Sequence, residues 1–199
     1  MKAIAYHGRG SSPDKIDWLV SAIREAGIDT IVAPNIRDVA DAYEAGAREL
    51  PVDAAAGHSM GGTAALLLAA RNPGLVKCVV AVAAPVDRRL QLQWLESKGD
   101  KYSKHLANEL AALGPQLDAT SPSRYIGPGM PPVLYIRGDR DDLVPRAHVD
   151  ILVGLADKFN FPVDVVEIQG MGHTPKSEQE RQAVRNAVVN FLASCLKRP

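Results

Sequence analysis

The sequence of 199 residues contains few cysteines, few aromatic residues and no excess of charge of either sign. The two cysteines, Cys78 in an apolar run and Cys195 near the end, are too few for a disulfide scaffold and lack the spacing of a metal-binding pair. We expect both to be buried as small apolar side chains, which favours a cytoplasmic protein. Because 23 Lys and Arg residues balance 23 Asp and Glu residues, no net field favours nucleic acid or an anionic membrane as a partner.

Long apolar runs and cofactor motifs are also missing. No apolar run approaches the roughly 18 residues that span a bilayer, and the first residues show no cationic leader or cleavage site typical of a secretion signal. No cluster of metal-ligating residues occurs, and no G-x-G-x-x-G follows an apolar run. The sequence therefore predicts a soluble protein without a membrane, metal or nucleotide partner, and with a small molecule as its ligand.

What the sequence does contain is a regular alternation of short apolar runs with helical patterns. Apolar residues make up 46% of the chain, enough for one domain with its own core. The apolar runs predict strands over 3–6, 30–33, 52–56, 76–83, 132–136 and 163–168, and the helical patterns cover 14–26, 39–50, 60–72 and 177–196. This order predicts an α/β fold of three layers, with helices on both faces of a six-stranded, mostly parallel sheet.

A long stretch between the fourth and fifth apolar runs interrupts this alternation. It covers about 86–129, which is too long for an ordinary loop, and carries helical patterns of its own over 90–95 and 106–113. We interpret it as a lid inserted into a single domain of residues 1–199. Four of its side chains could either form a channel for an acyl chain or pack the lid onto the domain: Leu90, Leu92, Trp94 and Leu95.

The sequence G-H-S-M-G-G at 57–62 stands between the third apolar run and a helical pattern. A G-x-S-x-G sequence between a strand and a helix is typical of a nucleophile elbow, a turn so tight that only glycine-sized neighbours avoid collision. The alternative is a glycine-rich turn whose serine merely caps the following helix. Ser59 is therefore the candidate nucleophile, and we expect His58 to be structural.

A serine nucleophile needs a histidine base and a carboxylate that orients the base. The fifth apolar run leads into a loop with Asp139, Asp141 and Asp142, and the sixth leads into the glycine-flanked His173. The carboxyl ends of parallel strands meet at one edge of a sheet, so we expect both loops beside the serine. His173 is the candidate base, and the spacing leaves all three aspartates as candidates for the acid.

With the chain order serine, aspartate, histidine, these segments resemble the α/β-hydrolase fold superfamily. The resemblance rests on the elbow, on G-D-x-D-x-x-V-P at 138–145 and on G-H at 172–173, and it spans nearly the whole chain. It implies that Asp141 is the acid and that Asp139 braces its loop, with Asp142 as the main rival. It also implies a truncated form of the fold, because the two strands that precede the first one here in the family are absent.

The same resemblance implies an oxyanion hole, formed by two backbone N–H groups that stabilise the developing negative charge by roughly 3 kcal/mol each. Met60 follows the nucleophile and supplies one group. The loop that begins H-G at 7–8 is typical of the second donor, which makes Arg9 that donor. We expect the Arg9 side chain either to favour an acidic substrate group, or to point into solvent or pair with Asp14 or Asp17.

Two further expectations concern the outside of the domain. His105 and His148 lie in helix-like segments without flanking glycines, so we expect them at the surface. The truncation leaves the strand around 30–32 as a sheet edge, and exposed edges invite pairing with another chain. A homodimer formed at this edge is one possibility.

The substrate class is the least specific part of the sequence. Segments 120–125 and 131–135 resemble the prolyl-oligopeptidase branch of the superfamily, which suggests a peptidase. Against this, 199 residues leave no room for the propeller domain that controls access to the active site in those enzymes. Dienelactone-hydrolase-like enzymes use a cysteine where this chain has Ser59. We therefore expect a serine hydrolase that cleaves short- to medium-chain carboxylic esters; the alternatives are a small peptidase, amidase, thioesterase or acyltransferase, or a non-catalytic binding protein on the same scaffold.

Overall fold

The computed structural model describes residues 1–34 and 36–197. In these residues, six strands form one sheet in which every neighbouring pair is parallel. The strands are β1 (Lys2–Tyr6), β2 (Asp29–Val32), β3 (Val52–His58), β4 (Val76–Val82), β5 (Val133–Gly138) and β6 (Val163–Ile168). Their order across the sheet is β2-β1-β3-β4-β5-β6. The six predicted strands are confirmed, and the sheet is entirely rather than mostly parallel.

Helices connect these strands and cover the sheet. They are α1 (Asp17–Glu25), α2 (Val39–Ala47), α3 (Met60–Arg71), α4 (Arg88–Lys98), α5 (Lys101–Ala111), α6 (Pro115–Ala119), α7 (Ala147–Phe159) and α8 (Glu178–Cys195). The helix predicted over 14–26 opens as a 3-10 turn, Pro13–Ile16. Pro13 stands at the start of this turn, where the N–H group that proline lacks has no partner within the helix. At α8, Ser177 and Glu180 form a reciprocal capping box, so the start of this helix is fixed locally.

The core consists of two apolar clusters, one on each face of the sheet. Ile4 and Tyr6 of β1 join the cluster under α2, α3 and α7, whereas Ala3 and Ala5 join the cluster under α1 and α8. Successive strand side chains point to opposite faces, so one short apolar run supplies both clusters. This arrangement gives the predicted three layers.

The segment between β4 and β5 folds as α4, α5 and α6. These helices share a small apolar cluster that includes Leu95, Ala107, Leu110 and Leu117. The Trp94 indole N–H donates to the carbonyl oxygen of Asp142 over 3.0 Å, which ties α4 to the loop after β5. Leu95 and the partly buried Leu92 thus pack within the inserted helices, and Trp94 makes a hydrogen bond. The function of the segment as a lid remains a prediction, as does the single domain.

The two cysteines are joined in a disulfide, contrary to the expectation of two free thiols. Cys78 lies in β4 and Cys195 ends α8, and the bond joins residues 117 positions apart. Spacing in the sequence gave no sign of this pair because the contact arises only when α8 packs onto the sheet. Closing a loop of this size restricts the unfolded chain and stabilises the fold by about 4–5 kcal/mol in the chain-entropy model. A disulfide does not indicate a cytoplasmic location, as two free thiols would, and that location remains a prediction.

One edge of the sheet is β2, which pairs with β1 and with no other strand in the described ranges 1–34 and 36–197, and the other edge is β6. Ile31 on β2 is 37% exposed. A homodimer at the β2 edge remains a prediction. Across the same described residues, none of the helices has the length and apolar character needed to cross a lipid bilayer.

Candidate active site

Ser59 stands at the sharp turn between β3 and α3. Its φ of 55° and ψ of −122° are strained for a residue with a side chain. A Cβ atom added at Gly57 would lie 2.2 Å from the backbone carbon of Gly61, and one added at Gly61 would lie 2.3 Å from the carbonyl oxygen of Tyr6. The turn therefore excludes larger residues at both glycines, and it exposes the serine hydroxyl at the carboxyl edge of the sheet.

Ser59 and His173 are in direct contact, as are His173 and Asp141. Ser59 Oγ lies 3.0 Å from His173 Nε2, the geometry in which the hydroxyl donates to the ring. On the other side of the ring, His173 Nδ1 lies 3.0 Å from Asp141 Oδ2. The carboxylate is nearly fully buried and the imidazole is one-fifth exposed. The structure thus brings together the three residues that the sequence singled out, in the geometry of a nucleophile, a base and an orienting acid.

Among the three candidate aspartates, the one in contact with His173 is Asp141. Its Oδ1 atom also accepts the backbone N–H groups of Leu143 and Val144, each over 3.0 Å. Asp139 instead accepts the Gly170 N–H over 2.7 Å, which braces the loop leading to the histidine. The hydrogen-bonding pattern of the loop, rather than its composition, decides which carboxylate faces the base.

Asp142 points away from this network. Its side chain is 77% exposed and its carboxylate lies 3.2 Å from Lys98 Nζ. A Cβ atom at Gly138 would lie 2.0 Å from the carbonyl oxygen of Met171, so the acid loop and the histidine loop pack directly on each other. That close packing fixes the register in which Asp141 meets His173.

Asp141 is held in its charged form although it is buried. Burial by itself raises the pKa of this carboxyl, but the hydrogen bond and charge of His173 and the two backbone N–H donors outweigh burial and lower the pKa below its ordinary value. A charged acid at this place holds the imidazole with its Nδ1 proton toward the carboxylate. Nε2 is then free to accept the serine proton.

The two expected oxyanion donors lie beside the serine. The Ser59 N–H is already used, donating to the Val82 carbonyl oxygen over 2.8 Å, whereas Met60 is the first residue of α3, where N–H groups lack a partner within the helix. A Cβ atom at Gly8 would lie 3.4 Å from Ser59 Cβ, so the loop that carries Arg9 passes directly over the nucleophile. Both residues line the cavity described below.

The Arg9 side chain pairs with neither Asp14 nor Asp17. Its guanidinium lies 3.4 Å from Glu109 Oε2 instead. Glu109 belongs to α5, and the sequence could not indicate that this inserted helix folds back over the loop after β1. Arg9 therefore connects the loop beside the serine to the inserted helices.

His58, which we expected to be structural, contacts the loop that carries the candidate base. Its Nε2 lies 2.8 Å from the carbonyl oxygen of His173, and the two rings are 5.0 Å apart. Since a carbonyl oxygen only accepts, His58 carries its proton on Nε2 and donates it. The side chain thus supports the backbone of the candidate base.

His148 is fully buried, so the expectation of a surface position was wrong; His105 is exposed as expected. The Nδ1 atom of His148 accepts the backbone N–H groups of Val86 and Asp87, and its Nε2 donates to Gln91 Oε1 over 2.9 Å. The helical pattern of α7 did not reveal this role because the partners come from the segment after β4. The ring joins α7 to the start of the inserted helices.

The two buried histidines predict acid-sensitive stability. Burial lowers the pKa of both His58 and His148 to about 4, whereas a histidine in the unfolded chain has a pKa of about 6.5. Below about pH 6.5 the unfolded chain therefore binds protons that the folded chain does not, and stability falls until about pH 4. Each histidine contributes a loss of up to about 1.4 kcal/mol per pH unit in this window.

We expect urea denaturation to show a free energy of unfolding about 4 kcal/mol lower at pH 5 than at pH 7. In His148→Gln the difference between the two pH values should be about half as large, whatever the absolute stability of the variant. The exposed histidine provides the matched control, since His105→Gln should keep the full difference. An unchanged pH dependence in His148→Gln would contradict the assignment.

A cavity of about 260 Å³ opens beside Ser59 and His173. The inserted helices supply a large part of its wall. Its apolar lining includes Leu95, Leu106, Leu110, Leu143 and Val144, and its cationic lining consists of Arg9, Lys15 and Arg88. Arg88, Gln91 and Tyr102 were not anticipated as lining residues, because helical periodicity gives no sign of which face of an inserted helix meets the cavity. In residues 1–34 and 36–197, no group of three histidine, cysteine or carboxylate residues is placed to hold a metal ion.

Similar structures include both esterases and a peptidase. A carboxylesterase cloned from a metagenomic library is 20% identical, with a TM-score of 0.77 over 100% of this chain and 80% of that chain. An esterase from the archaeon Pyrobaculum calidifontis is 19% identical, with a TM-score of 0.75 over 99% of this chain and 77% of that chain. A puromycin-hydrolysing peptidase from Mycobacterium tuberculosis is 18% identical, with a TM-score of 0.70 over 98% of this chain. The chain spans about a third (34%) of the length of that peptidase.

At these identities the structural similarities establish the fold, which is that of the α/β-hydrolases, and leave the substrate open. No curated protein sequence matches the chain significantly. The model of the prolyl oligopeptidase family, in contrast, matches residues 3–199, nearly the entire sequence. The chain therefore belongs to the prolyl oligopeptidase family and is a serine hydrolase.

Proposed function

We propose that the protein hydrolyses carboxylic esters through an acyl-enzyme formed on Ser59. His173 Nε2 removes the proton from Ser59 Oγ as this oxygen attacks the ester carbonyl carbon. The carbonyl oxygen becomes negatively charged and accepts the N–H groups of Met60 and Arg9. His173 then gives its proton to the alkoxy oxygen, and the alcohol leaves as the carbon–oxygen bond breaks.

The second half of the reaction uses the same groups in reverse. A water molecule takes the place of the alcohol, His173 accepts its proton, and the hydroxide oxygen attacks the acyl carbon. When the acyl-enzyme bond breaks, the proton returns to Ser59 Oγ and the carboxylic acid leaves. Asp141 stays charged throughout and stabilises the imidazolium that forms in each half.

The observation that carries this proposal is the unbroken series of contacts from Ser59 Oγ to His173 Nε2 and from His173 Nδ1 to Asp141, each 3.0 Å long. A strained serine turn is maintained against its conformational cost, which favours a catalytic over a capping role. Ser59 caps no backbone N–H of α3 with its side chain, so the alternative of a structural helix cap has no support in the geometry.

The size of the cavity favours a small ester. A volume of about 260 Å³, walled by leucine side chains of the inserted helices, suits a short acyl group better than an extended peptide. Family membership favours amide cleavage as the second candidate, since the family is that of prolyl oligopeptidase. Resonance stabilises the carbonyl of an ester less than that of an amide, and an alkoxide is a better leaving group than an amide anion, so the same site should act on esters first.

The test is hydrolysis of 4-nitrophenyl acetate, butyrate and decanoate, compared with the 4-nitroanilides of acetate and of a prolyl dipeptide. We expect turnover of the acetate and butyrate esters, a burst of one 4-nitrophenol per chain when deacylation is slow, and at least 100-fold lower kcat/KM for the anilides. A fluorophosphonate probe should label the protein once, on the peptide that contains Ser59. Labelling elsewhere, or faster cleavage of the anilides, would reject the proposal.

A further inference from the structure

The charged side chains around the cavity all have the same sign. Arg9, Lys15 and Arg88 line it, and no aspartate or glutamate does so in the described part of the chain. Lys15 is mostly exposed and lies 3.2 Å from Asp14, so it belongs to the rim. The two arginines lie deeper: Arg9 has one carboxylate partner, Glu109, and Arg88 has no carboxylate within ion-pair distance among the described residues.

Arg88 is 4% exposed, so its guanidinium lies inside the protein. Its side chain donates to the Thr120 hydroxyl, and its backbone N–H donates to Ser121 Oγ. Neither partner is an anion. Burial and then the nearby charge of Arg9 lower the pKa of Arg88 to about 10, against a smaller opposing effect of the Asp38 carboxylate, so the side chain stays positively charged at neutral pH.

The guanidinium of Arg9 also has N–H donors without a strong partner. Its single ion pair, with Glu109 on α5, has a long N···O distance of 3.4 Å. Its second terminal nitrogen, Nη2, is buried and has no hydrogen-bond partner among the described residues. A guanidinium offers five N–H donors in a planar fork, so Arg9 retains donor capacity at the cavity.

Arg9 and Arg88 bring two positive charges to the cavity and only one ion-paired carboxylate, Glu109, so one positive charge lacks a paired anion. A buried charge without a partner costs several kcal/mol, and a carboxylate is the group that a guanidinium fork binds with two parallel hydrogen bonds. We infer that the cavity selects esters that carry a second, free carboxylate, which pairs with Arg88 and Arg9 while Ser59 attacks the ester carbon. This inference rests on the proposed function and narrows it to one substrate class.

The apolar lining fits the same class of molecule. Leu95, Leu106 and Leu110 provide a surface for the methylene groups that separate the two ends of such a substrate. The backbone N–H of Arg9 is the proposed oxyanion donor, so its guanidinium starts from the residue beside the reacting carbon. A carboxylate bound by that guanidinium can therefore belong to the same small molecule as the ester.

The experiment compares substrates that differ in charge but hardly in shape. One pair carries the charge in the acyl part: the mono-4-nitrophenyl ester of glutarate and its primary amide analogue. The other pair carries it in the alcohol part: 4-(butyryloxy)benzoate and 4-(butyryloxy)benzamide. After subtraction of the enzyme-free rates, we expect kcat/KM to be at least 10-fold higher for the carboxylate than for the amide in one of the pairs.

Arg88→Met should reduce that ratio to about 1, because methionine keeps much of the volume and removes the charge. Arg89→Met is the matched control, since Arg89 is half exposed and pairs with Asp118 outside the cavity. It should keep the wild-type ratio. A ratio of 1 or less in both pairs for the wild type, or an unchanged ratio in a folded Arg88→Met, would overturn the inference.

Two further measurements separate this inference from the proposed function. If Arg88→Met does not fold, the test is made on the wild type alone: the ratio of kcat/KM for the carboxylate to that for the amide should exceed 10 in one pair and decrease at high salt. If none of the esters is hydrolysed, the proposed function fails, and glutarate binding still decides whether the anion site exists. In that case glutarate, but not glutaramide, should raise the Tm of the wild type and of Arg89→Met; no rise with glutarate would reject the site.

Discussion

Replacement of Ser59 by alanine is expected to lower kcat for 4-nitrophenyl butyrate by about 10⁶-fold, the effect of removing the nucleophile from a serine hydrolase. The loss is this large because, within residues 1–34 and 36–197, Ser59 Oγ is the hydroxyl hydrogen-bonded to the base, 3.0 Å from His173 Nε2. Residual turnover above the rate in water would come from the oxyanion donors and from binding alone.

The Ser59→Ala variant should fold normally. Alanine has a Cβ atom like serine, so it inherits the strain at φ 55° and adds none. Tm and the far-UV circular dichroism spectrum therefore report whether a loss of activity is chemical or structural. Ser21→Ala, an exposed position on α1, is the matched control and should retain full activity. Wild-type turnover in Ser59→Ala would exclude this serine as the nucleophile.

Replacement of Asp141 by asparagine is expected to lower kcat by about 10⁴-fold. Oδ1 of this residue accepts the N–H groups of Leu143 and Val144, and only an oxygen can do so in the variant. The amide nitrogen must then take the place of Oδ2, where it donates to His173 Nδ1. The ring is forced into the tautomer with its proton on Nε2, which cannot accept a proton from Ser59.

Asp142→Asn and Asp139→Asn distinguish this explanation from a general effect of charge in the loop. Asp142 is exposed and pairs with Lys98, so its replacement should change kcat less than threefold. Asp139 holds the loop before the histidine through the Gly170 N–H, and an amide oxygen can still accept that bond, so a loss of no more than tenfold is expected. Equal losses in all three variants would contradict the assignment of Asp141 as the acid.

Local sequence was sufficient wherever a residue's neighbours in the chain set its conformation. The strands follow from short apolar runs, and α8 begins at a capping box whose two members are three residues apart. The elbow follows from Gly57, whose Cβ atom would collide with the backbone of the turn itself at Gly61. These features depend on backbone sterics and on hydrogen bonds within a few residues, which a sequence displays directly.

Local sequence was not sufficient to show which aspartate of the loop after β5 faces His173. Three aspartates within four residues have the same chemistry, and composition does not distinguish them. The structure separates them because the backbone N–H groups of Leu143 and Val144 turn toward one of them, and because Gly138 packs against the carbonyl of Met171. The resemblance to a family had implied Asp141, whereas the residues by themselves had not.

The order of the elements and the turn that presents Ser59 follow from the sequence. The bond between Cys78 and Cys195, the burial of His148 and the pairing of Arg9 with Glu109 arise only when the elements pack together. Each of these contacts joins groups 57 or more positions apart in the sequence. Such contacts depend on how the helices pack on the sheet and on one another. The periodicity of apolar residues within one helix or strand does not show which other element it will contact.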